Sequence, residues 1–166
     1  MFNKPVVMLK TSEEISTLIN KIMTMADRMI DDERRLAIGC DTETTGLSPL
    51  TSDVRLLQIY FEDVVYILDC FETERQLINK FKPIMESEKI IKVFQNAKFD
   101  IKMLKYHFDW NLESIFDTMI AAKLVTNGKK KFKHKYGLDD LCETWLEVTL
   151  DKSQQLSDWS GHLSED

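Results

Sequence analysis

Two carboxylates stand where a strongly apolar segment of the chain ends. Residues Leu36 to Cys40 are apolar at every position, which predicts a strand buried on both faces, and Asp41 and Glu43 follow directly. Because side chains in a strand alternate between faces, both carboxylates are expected on one face, where they repel each other and lose hydration. Protonation, basic partners or a divalent cation relieve such a pair. Taken alone, the Asp41 to Gly46 segment favours the alternative of a polar turn.

A third carboxylate, Asp100, lies on a predicted helix that follows another apolar strand, Ile90 to Phe94. Asn96 and Asp100 are four residues apart, so we expect both along the helix edge that faces the sheet. Sites in open α/β sheets form outside the carboxyl ends of strands, and this helix starts at such an end. The sequence equally allows a structural interpretation, in which Asn96 caps the helix and Asp100 favours its positive end.

A basic segment stands out in a chain whose net charge is −6. Residues 129–135 hold five Lys and one His. An acidic chain does not coat nucleic acid indiscriminately, so any phosphate contact must be local. Interleaved aromatic side chains could stack on unpaired bases, whereas a run of charges by itself more often forms a solvated loop. The candidate nucleic-acid contacts are Lys129, Lys130, Lys131, Phe132 and Lys133.

Hydrophobic periodicity predicts the helices and strands that must position these residues. The predicted strands are Val6 to Leu9, Leu36 to Cys40, Val54 to Phe61, Val64 to Leu68 and Ile90 to Phe94. A hairpin turn is predicted at Glu62 and Asp63. Helices are predicted after capping boxes at Thr11 and Thr73, over Ala97 to Phe108, over most of Leu112 to Val125 and around Leu138 to Trp145. Pro83 should bend or end its helix, Asp117 should cap one, and Trp145 should lie in the core. This order indicates an α/β fold with a mixed sheet flanked by helices.

The composition is typical of one globular domain in the cytoplasm. The 166 residues are 43% hydrophobic, and the three Cys are widely scattered, which favours reduced thiols over a zinc site. The N-terminus lacks the pattern of a signal peptide, and no uncharged stretch is long enough to span a bilayer. We therefore expect no membrane partner.

The two acidic segments resemble the first two motifs of the DEDD 3′–5′ exonucleases. The matching stretches are Asp41-Thr42-Glu43-Thr44-Thr45-Gly46-Leu47 and Asn96-Ala97-Lys98-Phe99-Asp100. Flanking segments, most similar to the ribonuclease D and Werner-type branch, are Arg55 to Ile59, Phe116 to Met119, Gly137 to Leu141 and Leu150 to Trp159. The resemblance runs from about Ala37 to the end, and it implies the ribonuclease H-like 3′–5′ exonuclease fold.

For chemistry, the resemblance implies two-ion hydrolysis with Mg²⁺ or Mn²⁺ at 3′ ends of single-stranded DNA or RNA, releasing nucleoside 5′-monophosphates. By this likeness Asp41 bridges both ions, Glu43 holds the ion that activates water, and Asp100 helps to place the site. The residues implied near the terminal nucleotide are Thr44, Leu47 and Asn96. Leu47 would act as an apolar wedge against its base.

The chain departs from the family at the fourth carboxylate, which this branch carries in a Tyr-x-x-x-Asp motif shortly after Ser-Asp-Trp. Because the sequence stops at Asp166, we expect the motif to be missing, and we do not assign His162 and Asp166 to it. A site without one ligand binds its ion weakly, so impaired activity is expected from this polypeptide alone. Open explanations are a C-terminally truncated chain, a split gene whose second chain supplies the motif, and a degenerate domain.

The rival functions are a catalytically silent module that binds nucleic acid or a partner, and another ribonuclease H-like enzyme such as an endonuclease.

Overall fold

The computed structural model describes residues 4–127, 136–151 and 159–161. Its strands are β1 (Val6–Met8), β2 (Leu36–Thr44), β3 (Val54–Phe61), β4 (Val64–Asp69), β5 (Ile90–Phe94) and β6 (Ile115–Asp117). They form one six-stranded sheet in the order β1-β4-β3-β2-β5-β6. β3 is antiparallel to both of its neighbours, and the other three pairings are parallel. The mixed sheet predicted from the sequence is therefore confirmed.

The helices are α1 (Ser12–Asp31), α2 (Arg75–Ile78), α3 (Lys82–Met85), α4 (Lys98–Phe108), α5 (Thr118–Val125) and α6 (Leu138–Leu146). α1 starts with the predicted capping box, in which the Glu14 amide donates to Thr11 Oγ1 over 3.2 Å and the Thr11 amide donates to the Glu14 carboxylate over 2.9 Å. The second predicted box is wrong, because Glu74 rather than Thr73 precedes the single-turn α2 and makes no capping bond with its side chain. The helix is interrupted as predicted, but the interruption lies ahead of Pro83: α2 ends at Ile78, a 3₁₀ turn follows, and Pro83 lies in the first turn of α3, where a missing amide donor is tolerated.

One further expectation holds in part and another is wrong. α5 covers most of Leu112 to Val125, as predicted, but β6 precedes it, because three residues pair in parallel with β5, a non-local contact that has no local periodicity. Trp145 is 55% exposed, and α6 has no buried residue although apolar side chains follow one of its faces.

The core places the end of β2 in the middle of the sheet. Leu36, Ile38 and Cys40 point into a cluster with the apolar side of α1, which carries Ile15, Leu18, Ile22 and Ala26. Ala37 on the opposite face is exposed, so the expectation that both faces of this strand are covered is wrong for the described residues. β2 pairs with β3 on one side and with β5 on the other, which fixes the position of its carboxyl end.

The predicted hairpin between β3 and β4 is confirmed. Glu62 and Asp63 both adopt left-handed backbone angles and join β3 to β4 as a tight hairpin. The three cysteines are free thiols, and burial raises the pKa of Cys40. Within the described ranges, no helix combines the length and the apolar character that crossing a membrane requires.

Candidate active site

The carboxyl end of β2 carries Asp41 and Glu43. The strand continues to Thr44, beyond the predicted end at Cys40, so both acidic residues are strand residues and not part of a turn. Thr42, between them, is buried on the opposite face, whereas Asp41 is exposed and Glu43 is half-buried. The alternation therefore puts the two carboxylates on the same side of the sheet, as expected.

Asp100 reaches the same end of the sheet from α4. It is only 3% exposed, and its Oδ1 accepts a hydrogen bond of 2.7 Å from Thr42 Oγ1. Thr42 was not among the site residues predicted from the sequence. The period of two in β2 is the signal that could have found it, because a hydroxyl between two carboxylates must face the layer from which α4 approaches.

The three carboxylates influence one another electrostatically. Loss of hydration, together with the negative charges of Asp100 and Glu43, raises the pKa of Asp41 to about 7. Asp41 also keeps contact with solvent, so water screens part of this rise. Burial and the charge of Asp100 likewise raise the pKa of Glu43. Burial raises the pKa of Asp100, against the effect of the bond from Thr42.

No basic side chain among the described residues forms an ion pair with these carboxylates. Hard oxygen donors with uncompensated negative charge are the ligand set that Mg²⁺ or Mn²⁺ prefers. The donor chemistry therefore suits such an ion. In residues 4–127, 136–151 and 159–161, however, no group of three or more His, Cys, Asp or Glu side chains is arranged to hold one.

Asn96 does not lie on α4 as predicted. It precedes the helix in a left-handed conformation, with φ of 57°, and its side chain is exposed. The interpretation of Asn96 as the helix cap is also wrong, because α4 has no cap bond from its own cap residue. Asp117, predicted to cap a helix, caps α5 through the amides of Met119 and Ile120.

A loop between β2 and β3 presents apolar side chains to solvent. Leu47 is 87% exposed, and Leu50, which the sequence-based analysis did not single out, is 75% exposed. The Thr44 hydroxyl donates to the Gly46 carbonyl over 2.8 Å, so it stiffens this loop. A side chain at Gly46 would bring its Cβ within 3.1 Å of Ser52 Cβ, which explains the glycine.

The loop is closed at its base by Thr45 and Asp53. The Thr45 amide donates to the Asp53 carbonyl over 3.0 Å, and the Asp53 amide donates to Thr45 Oγ1 over 2.9 Å. These bonds hold the two leucines on an ordered loop next to the carboxylates. The basic segment with Lys129, Lys130, Lys131, Phe132 and Lys133 lies outside the described residues.

The comparisons with known proteins agree with this fold. A family model described as 3′-5′ exonuclease matches residues 6–166, and the chain belongs to that family. It is 33% identical over 126 residues to DNA polymerase I of Aquifex aeolicus. This alignment covers 76% of the chain and 19% of the relative. It is 24% identical over 160 residues to ribonuclease D of Gluconacetobacter diazotrophicus, which covers 96% of the chain and 37% of the relative. The chain thus spans well under half the length of these relatives.

Solved structures have the same fold. Ribonuclease D of Escherichia coli superposes with a TM-score of 0.74 at 22% identity, covering 95% of this chain and 38% of that one. Brucella melitensis NrnC with bound Mg²⁺ superposes with a TM-score of 0.63 at 25% identity, covering 82% of this chain and 64% of that one. The predicted ribonuclease H-like exonuclease fold is therefore confirmed, and members of this family typically use divalent metals.

Proposed function

We propose that the chain is a metal-dependent 3′–5′ exonuclease domain that removes nucleoside 5′-monophosphates from 3′ ends of single-stranded DNA or RNA. The observation that carries the proposal is the group Asp41, Glu43 and Asp100, which lies at one end of the sheet without an internal cation in the described residues. These carboxylates would repel a phosphodiester. A bound cation is needed before an anionic substrate can approach them.

In this proposal Asp41, Glu43 and Asp100 provide the oxygen ligands for Mg²⁺ or Mn²⁺. Such ions would supply the positive charge that offsets the developing negative charge on the attacking and leaving oxygens. Thr42 would keep the Asp100 carboxylate turned toward β2, since its hydroxyl donates to that group. The protein's own contribution is to hold three like charges together against their repulsion.

The terminal nucleotide would contact the surface around Thr44, Leu47 and Asn96. The exposed side-chain amide of Asn96 can form hydrogen bonds. Leu47 offers an apolar contact to an unpaired base. Leu50 on the same loop would extend this apolar surface. Lys129, Lys130, Lys131, Phe132 and Lys133 would bind the strand farther along, with the lysines on phosphates and Phe132 on a base.

A further acidic group would complete the ion ligands. A cavity of about 320 Å³ lies beside Asp41 on the more exposed sheet face, between Tyr60, Val93 and Leu138, and could receive another element. A second chain that carries a Tyr-x-x-x-Asp motif is one source of this group. The second candidate function is a catalytically silent nucleic-acid-binding module, which the lack of a three-ligand group among the described residues favours.

The two candidates differ in their response to Asp41→Ala. We expect 5′-labelled single-stranded DNA and RNA to shorten stepwise from the 3′ end with Mn²⁺, and this shortening to fall at least about a hundredfold in Asp41→Ala. Asp27→Ala is the matched control, because Asp27 lies on α1 and pairs with Lys89 at the surface. Strand binding without shortening, unchanged by Asp41→Ala, would establish the silent module instead.

A further inference from the structure

The Asp117 carboxylate at the end of β6 accepts hydrogen bonds from the beginnings of two helices. Oδ1 accepts from the amides of Met119 and Ile120 in α5, over 2.8 and 3.2 Å. The same oxygen accepts from the Asn96 amide over 3.2 Å, and Oδ2 accepts from the Ala97 amide over 2.9 Å. One side chain therefore binds four amides that helix geometry leaves without partners.

α4 depends on this carboxylate because it has no side-chain cap of its own. Its cap residue is Ala97, which has no polar side chain, and the preceding Asn96 is left-handed. Asx side chains normally cap helices by bonding to amides further along the chain. Here a residue about 20 positions later does so, and the Asn96 side chain faces solvent.

The register of β5 and β6 explains how the Asp117 side chain reaches the start of α4. Asp117 pairs with Phe94 across the parallel strands β5 and β6, so both strands end side by side. Thr118 Oγ1 also donates to the Phe94 carbonyl over 3.1 Å, which holds the two strand ends together. The amides of Asn96 and Ala97, just past the end of β5, then meet the carboxylate.

We propose that Asp117 is a positioning residue that sets the placement of Asn96 and Asp100 in the active site. The inference rests on the proposed function, since it assigns a role at the same site. Asp100 lies one helical turn after the amides that Asp117 holds, so the backbone of Asp100 is fixed from β6 while its carboxylate is fixed by Thr42. The same bonds release the Asn96 side chain from capping and leave it available to a nucleotide.

Asp117→Asn separates the two helix contacts. An Asn that keeps its oxygen at the Oδ1 position retains the three bonds from Asn96, Met119 and Ile120. Its NH₂ group then opposes the Ala97 amide, so two donors face each other and the bond to Ala97, the cap residue of α4, fails. This variant damages the start of α4 and preserves the cap of α5.

The test compares wild type, Asp117→Asn, Asp41→Ala and Thr11→Ala by Mn²⁺ titration and by amide hydrogen exchange. Thr11→Ala is the matched control, because it removes a cap from α1, away from the site, and should lower Tm by a similar amount, about 3 °C. We expect Asp117→Asn to weaken Mn²⁺ binding about tenfold, the usual effect of losing a residue that orients a ligand. Thr11→Ala should leave Mn²⁺ affinity unchanged. In Asp117→Asn, exchange should accelerate at residues 97–101 and stay slow at residues 119–121.

Two results would overturn the inference while the proposed function stands. One is unchanged Mn²⁺ affinity and unchanged exchange at residues 97–101 in a folded Asp117→Asn protein. The other is an equal loss of Mn²⁺ affinity in Thr11→Ala, which would reduce the role of Asp117 to general stability. If wild type and Asp41→Ala bind Mn²⁺ equally, the proposed function fails, and the exchange at residues 97–101 still decides whether Asp117 positions Asn96 and Asp100.

Discussion

Two neighbouring regions of the sheet treat buried charge in opposite ways. At the ends of β3 and β4, Arg55 is 3% exposed and donates to the Asp69 carboxylate over 2.8 Å. The guanidinium also lies 4.6 Å from the centre of the Phe71 ring and donates to the Gly161 carbonyl over 2.9 Å. One strand away, Asp41, Glu43 and Asp100 influence one another electrostatically, and no basic side chain of the described residues pairs with them.

The two regions touch at a β-bulge. Glu43 pairs with Leu56 and Thr44 pairs with Val54, so Arg55 is the extra residue between them. A buried cation therefore sits one strand from the acidic group, yet it is bound to Asp69. This difference separates a charge that the fold neutralises internally from charges that no basic side chain of the described residues neutralises.

The same substitution of Asp by Asn should have opposite signs in the two regions. Asp69→Asn removes the counter-charge of a buried Arg55, and we expect the free energy of unfolding to fall by about 3 kcal/mol. Denaturant unfolding measures the change. In an Arg55→Met background the same substitution should cost much less, because no buried cation is left unpaired. A loss below about 1 kcal/mol in Asp69→Asn would mean that the pair is not what stabilises this region.

Lys92 provides an intermediate case, a buried cation held by carbonyls. Its side chain lies in the core of β5, and Nζ donates to the carbonyls of Ser87 and Ile90 over 2.6 and 2.8 Å. Burial lowers the pKa of Lys92 to about 8 from 10.5. Between these two pH values the unfolded chain binds the proton more tightly than the folded one, so stability should rise with pH.

The comparison of wild type with Lys92→Met isolates this effect, because the other lysines and tyrosines titrate in both. The full pKa difference corresponds to about 3 kcal/mol, and the two carbonyl bonds offset part of it. We therefore expect the stability of wild type relative to Lys92→Met to increase by about 2 kcal/mol from pH 7.5 to pH 10.5. A flat difference across this range would show that the ammonium is already fully compensated.

The parts of the site that the sequence predicted are those encoded by local periodicity. Asp41 and Glu43 share a face because they belong to a strand of period two, and Asp100 follows from a helix that starts at a strand end. The parts it missed depend on contacts between distant segments. β6 is three residues long and exists through its pairing with β5, and the bond from Thr42 to Asp100 spans 58 positions.

Asp117 shows the same limit of prediction from local sequence within a single residue. Its neighbours predicted the cap of α5, which is local, and that prediction is confirmed. Its two bonds to the start of α4 depend on β5 and β6 ending side by side, which no local pattern in the sequence indicates. The cap expected from Asn96 failed for the same reason, since Asp117 already occupies the amides that need a partner.

Asp41→Asn gives the smallest effect and completes the comparison with Asp69→Asn. The raised pKa of Asp41, about 7, means that the folded state disfavours this charge, so the folded chain loses stability as pH rises from about 4 to 7. Asn lacks the charge, so we expect Asp41→Asn to be more stable than wild type at pH 7.5 by about 0.5 kcal/mol, a small gain because solvent screens Asp41. The stability advantage of Asp41→Asn should shrink near pH 5.

Saturating Mg²⁺ should reverse this advantage, because the ion stabilises only the protein that keeps the carboxylate. Thermal unfolding at both pH values, with and without Mg²⁺, measures this, and Asp69→Asn serves as the control that no cation rescues. If Asp41→Asn were destabilising without Mg²⁺, Asp41 would have an internal partner, and the contrast between the two regions would not hold.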